Sequence, residues 1–103
     1  MEVIDNEERF WSQKDRAPGV MLMLMRPTCP YCKRAMPAAQ ELASKYTRVT
    51  CLAADIEKIP NLLAVFGANG VPTFIFMQSG EEVSRVVGAD MQTVENTLDQ
   101  LSK

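Results

Sequence analysis

No histidine occurs among the 103 residues of this chain, and cysteine occurs only three times. Without histidine, Cys-His and Ser-His-Asp catalysis and imidazole metal sites are excluded within the chain. Structural zinc needs a fuller set of Cys and His ligands than three thiols supply. Long apolar runs are missing as well: the longest, Val20 to Met25, falls far short of the ~20 residues that cross a bilayer, so no membrane association is expected. Basic clusters interleaved with aromatics, the footprint of nucleic-acid binding, are absent, and the net charge is −2. Met1 to Phe10 is acidic and shows neither a basic n-region nor a small-residue cleavage site. No secretory signal is read there, and a cytoplasmic setting is expected.

What is present is an ordinary globular balance, 47% hydrophobic and 23% charged. The length suits one domain spanning residues 1–103. Charge is distributed unevenly: residues 16–40 contain Arg16, Arg26, Lys33 and Arg34 and no acid. Cys29 and Cys32 lie inside that basic window, separated by Pro30 and Tyr31. In a cytoplasmic setting, such spacing points to redox chemistry instead of a disulfide scaffold.

The pattern along the chain alternates strands and helices. Glu7 to Lys14, with Phe10 and Trp11 apolar, reads as a helix stopped by Pro18-Gly19. Val20 to Met25 is apolar on both faces, as in a strand at the centre of a sheet. After a turn at Arg26-Pro27-Thr28, a helix runs from near Cys29 to about Tyr46, with Cys32, Ala35, Ala39, Leu42 and Tyr46 at helical spacing. Pro37 falls inside it and is expected to kink it. Thr47 to Ala54 reads as a second apolar strand, and Asn61 to Phe66 as a short helix closed by Gly67. Phe74 to Met77 and Glu82 to Val87 form a hairpin across Gln78-Ser79-Gly80-Glu81. A last helix starts near Asp90, its N-cap, and buries Met91, Val94, Leu98 and Leu101. The order is βαβαβαββα: an α/β domain with a mixed sheet and helices on both faces.

A CxxC at a helix start exposes the first sulfur and places the second one turn inside. At Cys29, unpaired N–H groups and the positive end of the helix dipole favour a thiolate. Arg26, Lys33 and Arg34 are expected to lower its pKa further. Pro30 suits the first helical position, where no N–H is needed. An isolated CxxC can also be half of a metal site or an idle pair. Lack of a second pair weakens the metal reading, and the strand–turn–CxxC–helix setting supports redox work. Cys51, in an apolar strand, reads as an inert core thiol, and Met21, Met23 and Met25 as core packing instead of a copper site.

Over nearly its whole length the chain resembles the thioredoxin family. The resemblance rests on the CxxC after an apolar strand, Lys33 directly after it, Pro37 in the helix, Gly70-Val71-Pro72-Thr73, and Gly88 after the hairpin. It implies the thioredoxin fold and a cis bond before Pro72, beside the two sulfurs. It also implies a shallow groove bordered by Thr28, Val71 and Gly88, where an extended substrate strand lies. Cys29 would then be the nucleophile and Cys32 the resolving thiol, with Pro30, Tyr31, Arg26 and Lys33 around them. No bound cofactor is implied. Electrons would come from NADPH through a thioredoxin reductase, or from glutathione, and go to protein disulfides. A monomer is expected.

Some positions depart from the family pattern. Thioredoxins usually carry Trp-Cys-Gly-Pro-Cys, whereas Thr28-Cys29-Pro30-Tyr31-Cys32 is the dithiol glutaredoxin motif. The buried Asp that thioredoxins place six residues before the first cysteine is Met23 here, and the lysine that accompanies it falls at Ala53. Losing both together avoids an unpaired buried charge, and leaves water or the departing thiolate to deprotonate Cys32. Arg26 stands where glutaredoxins often have a lysine that contacts a glutathione carboxylate, which opens a glutathione-dependent reading. A glutathione-ligated iron–sulfur module is a third reading, disfavoured by the stiff Pro30. Against the glutaredoxin readings, Gly70-Val71-Pro72 replaces Thr-Val-Pro, and Gly88 is not followed by glycine.

Overall fold

Alternation along the central strand decides which face each side chain serves. The computed structural model describes residues Met1–Lys103 and contains nine elements. In chain order these are β1 (Glu2–Ile4), α1 (Glu7–Gln13), β2 (Val20–Met25), α2 (Pro30–Lys45), β3 (Thr50–Asp55), α3 (Asn61–Phe66), β4 (Thr73–Gln78), β5 (Glu81–Val87) and α4 (Met91–Leu101). One sheet of order β1-β3-β2-β4-β5 holds all the strands. β1, β3 and β2 run parallel, β4 is antiparallel to β2, and β5 is antiparallel to β4.

With neighbours on both edges and helices on both faces, β2 is buried along its whole length. Met21, Met23 and Met25 point to one face, where they pack with Cys32, Ala35, Ala39 and Leu42 of α2 and Val94, Leu98 and Leu101 of α4. Val20, Leu22 and Leu24 point to the other, against Phe10 of α1 and Leu62 of α3. Each fully buried Leu, Met or Phe contributes on the order of 1.5–3 kcal/mol.

Several boundaries differ from the sequence reading. α1 ends at Gln13, and Trp11 is 44% exposed while Phe10 is buried. β3 starts at Thr50, not Thr47: the Val49 N–H turns back to the Tyr46 carbonyl, and the Thr50 N–H is the first to reach Gly19 across the β2 side. The hairpin turn is tighter than expected. Only Ser79 and Gly80 are outside the strands, both with positive φ (53° and 78°), the primed turn whose twist matches the flanking strands. Tyr46 and Met91 are half-buried, each at the end of its helix and at the edge of the α2–α4 core. Asp90 caps α4 by accepting from the Thr93 N–H. No helix is long and apolar enough to cross a membrane.

Candidate functional site

β2 delivers the chain to the C-terminal edge of the sheet, and an Arg26–Thr28 turn, closed by the Cys29 N–H on the Arg26 carbonyl (3.1 Å), reverses it into α2. Cys29 has extended backbone angles and is the N-cap of α2, with Pro30 in the first turn. Its Sγ accepts from the Cys32 N–H at 3.2 Å, so the sulfur itself satisfies a donor that the helix start leaves free. Cys32, one turn on, is only 3% exposed and packs in the α2–α4 core.

The loop before β4 closes the site from the other side. The Val71–Pro72 bond is cis. The Cys29 thiol lies 3.8 Å from the Val71 carbonyl, on the far limit of a donated S–H bond. Gly88, at φ 92°, donates its N–H to the Pro72 carbonyl (2.9 Å). These contacts bring Cys29, Cys32, Val71, Pro72 and Gly88 together from three separate stretches of chain. Between the two thiols Tyr31 is 60% exposed. A shallow recess lined by Tyr31, Arg34, Ala35, Ala89 and Met91 flanks the pair on one side. An apolar cleft lined by Met25, Arg26, Pro27, Cys32, Lys33 and Met36 flanks it on the other and reaches Cys32.

The two sulfurs titrate in opposite directions. At Cys29, loss of hydration raises the pKa. Hydrogen bonds from the Cys32 thiol and the Cys32 and Tyr31 N–H groups, with the charge of Arg26, outweigh it, so the net shift is downward. At Cys32, burial comes first, then the bond it gives to Cys29, and together they push it up to about 11. Cys51 is also pushed up to about 11, by burial. Of the three basic residues expected to favour the Cys29 thiolate, Arg26 contributes to the shift. Arg34 instead lies over the Tyr31 ring, 4.8 Å from its centre. Lys33 is among the residues that line the cleft reaching Cys32.

A residue that sequence reasoning missed, Glu57, leans into this basic rim. Its Oε1 lies 3.8 Å from Arg26 Nε and accepts from Thr28 Oγ1 at 3.3 Å. Parallel pairing of β2 and β3 was the available signal. The loops leaving the C-terminal ends of neighbouring parallel strands must lie side by side. Met23 and Ala53 are also register partners in β2 and β3, both fully buried, with no charged group between them. No cluster of three or more His, Cys, Asp or Glu side chains converges to hold a metal ion.

The thioredoxin family model matches residues 3–100. The chain is 30% identical over 95 residues to rice thioredoxin H2-1, covering 92% of this chain and 69% of that one. It is 30% identical over 84 residues to rice thioredoxin H5, covering 82% of this chain and 62% of the relative, so it spans less than two thirds of that protein. Thioredoxin NaTrxh of Nicotiana alata superposes with a TM-score of 0.92 at 24% identity, covering 99% of this chain and 92% of that one. Oxidised thioredoxin O2 of Arabidopsis thaliana gives 0.86 at 27% identity, covering 99% and 94%. A sheet of matching order, two thiols at the start of the helix after its central strand, and a family match over almost every residue lead to one conclusion: the chain belongs to the thioredoxin family.

Proposed function

We propose that this protein is a thiol–disulfide oxidoreductase that reduces protein disulfides through Cys29 and Cys32. The observation that carries the reading is the division of labour between the sulfurs. Cys29 is accessible and its thiolate is favoured by donated hydrogen bonds, while Cys32 is held protonated until needed. The Cys29 thiolate attacks one sulfur of a substrate disulfide, and the other substrate sulfur leaves and takes up a proton. Cys32 then loses its proton, attacks Cys29 Sγ, and expels the first substrate thiol. Two electrons pass to the substrate, and a Cys29–Cys32 disulfide remains.

Val71, Thr28 and Gly88, with Pro30 and Tyr31, border the groove in which an extended substrate segment lies, and Pro72 shapes its floor. Met23 and Ala53 supply no acid or base, so water or the departing substrate thiolate takes the Cys32 proton. Electrons return from NADPH through a thioredoxin reductase, in the cytosol, to a monomer with no bound cofactor. Glutathione as the donor is not favoured, because Glu57 already engages Arg26.

Cys29→Ser is expected to abolish reduction of a disulfide-bonded protein such as insulin. Cys32→Ser is expected to accumulate a mixed disulfide on Cys29, visible as added mass by mass spectrometry. Undiminished reduction by the Cys29→Ser protein overturns the mechanism.

A further inference from the structure

We propose that Glu57 is a specificity-determining residue that keeps small anionic thiols such as glutathione away from the Cys29–Cys32 disulfide. The inference rests on the dithiol reading above and adds a selection by charge.

The backbone holds Glu57 beside the Arg26–Thr28 turn. The Ile56 N–H bonds to the Met25 carbonyl (2.9 Å), continuing the β2–β3 ladder one step past the strand ends. The Glu57 N–H then bonds to Asp55 Oδ1 (2.9 Å), which turns the chain back over the neighbouring loop. One carboxylate oxygen, Oε1, serves both Arg26 and Thr28, the residues that lead into Cys29. Both side chains of the Arg26–Glu57 pair are about half exposed (45% and 50%). Such a pair adds little to stability, and its half exposure leaves both charges open to an arriving ligand.

Arg26 precedes Cys29 by three residues and its charge favours the Cys29 thiolate, so it is the natural anchor for a ligand carboxylate arriving there. An incoming carboxylate must displace Glu57 from Arg26 or approach with Glu57 still beside it. Either route costs the anionic ligand, and neither burdens a protein surface whose contact is made through backbone and apolar groups.

The test follows reduction of the Cys29–Cys32 disulfide. One glutathione thiolate attacks Cys29 Sγ and releases Cys32 as the leaving thiolate, which is protonated. A second glutathione thiolate attacks the sulfur of the first, releasing Cys29 and oxidised glutathione, so two glutathiones supply the two electrons. The control is glutathione diethyl ester, which has the same thiol and amine but no free carboxylates. The readout is the ratio of the rate with glutathione to the rate with the ester, at low ionic strength.

Glu57→Gln is expected to raise this ratio about three- to tenfold, the scale of one unit charge removed at roughly 5 Å in water. In an Arg26→Gln background the same change is expected to raise it less, because the anchor it frees is gone. An unchanged ratio in Glu57→Gln overturns the proposal. An equal rise in both backgrounds overturns the pairing with Arg26. Failure of wild-type oxidised protein to be reduced by dithiothreitol is a separate result, which overturns the dithiol reading itself and this inference with it.

Discussion

At the scale of the residue, three thiols occupy three environments, and alkylation separates them. Iodoacetamide reacts with thiolates, so its rate at each cysteine follows that thiol's pKa. Cys29, lowered by donated hydrogen bonds and Arg26, is expected to react with a midpoint below the ordinary thiol range near ~8.5. Cys32 and Cys51, each pushed up to about 11, are expected to stay unlabelled in the folded protein at neutral pH. Peptide mapping after labelling across the pH range checks this, and prompt labelling of Cys32 at pH 7 contradicts it. The sign for stability follows from the same shifts. The folded chain holds the Cys32 and Cys51 protons more tightly than the unfolded chain does. Their contribution is complete below the unfolded thiol pKa and is lost as pH rises from there toward 11. Cys29 and Cys32 were legible because their chemistry is written within four consecutive residues and a helix start. Glu57 was not, because its partners Arg26 and Thr28 lie about thirty residues away and meet it only through strand pairing.

At the scale of the element, identities were legible and edges were not. The apolar run of β2 and the period of α2 and α4 are averages over many residues, so one ambiguous position does not change them. The start of β3 depends on one hydrogen bond, from Thr50 to Gly19, and Thr47 and Arg48 have no feature that places them outside the strand. The β4–β5 turn shows the same effect. Ser79-Gly80 was visible as a turn, but its two-residue length is set by positive φ at both residues. Gly80, at φ 78°, sits where a Cβ would lie 2.1 Å from Asp15 Oδ1. Gly80→Val is expected to destabilise the fold by about 1–2 kcal/mol, because a β-branched residue resists the left-handed region. Urea denaturation measures this, and an unchanged midpoint would show that the hairpin does not need a glycine there.

At the scale of the whole molecule, the loop before β2 meets the end of α4 at the end of the central strand away from the thiols. A Cβ on Gly19 would meet Leu101 Cγ at 2.6 Å, so the loop before β2 and the end of α4 close on each other without spare room. Gly19 and Cys29 flank opposite ends of β2. Gly19→Ala is therefore expected to cost about 1–3 kcal/mol through overpacking, while leaving the alkylation midpoint of Cys29 where it was. A shift of that midpoint would mean that strain at one end of the strand reaches the other. The position of β2, paired on both sides and shielded on both faces, also makes it a gauge. Its amides exchange with deuterium only when the molecule opens extensively, so their exchange reports the opening free energy. Measured in the dithiol and disulfide forms, the difference equals the gap in reduction potential between the folded and the opened Cys29–Cys32 pair. By the two-electron relation, each ~30 mV of that gap appears as ~1.4 kcal/mol of added or lost protection. Slower β2 exchange in the disulfide form would mean that folding drives the pair toward oxidation, and slower exchange in the dithiol form would mean that folding holds its electrons back.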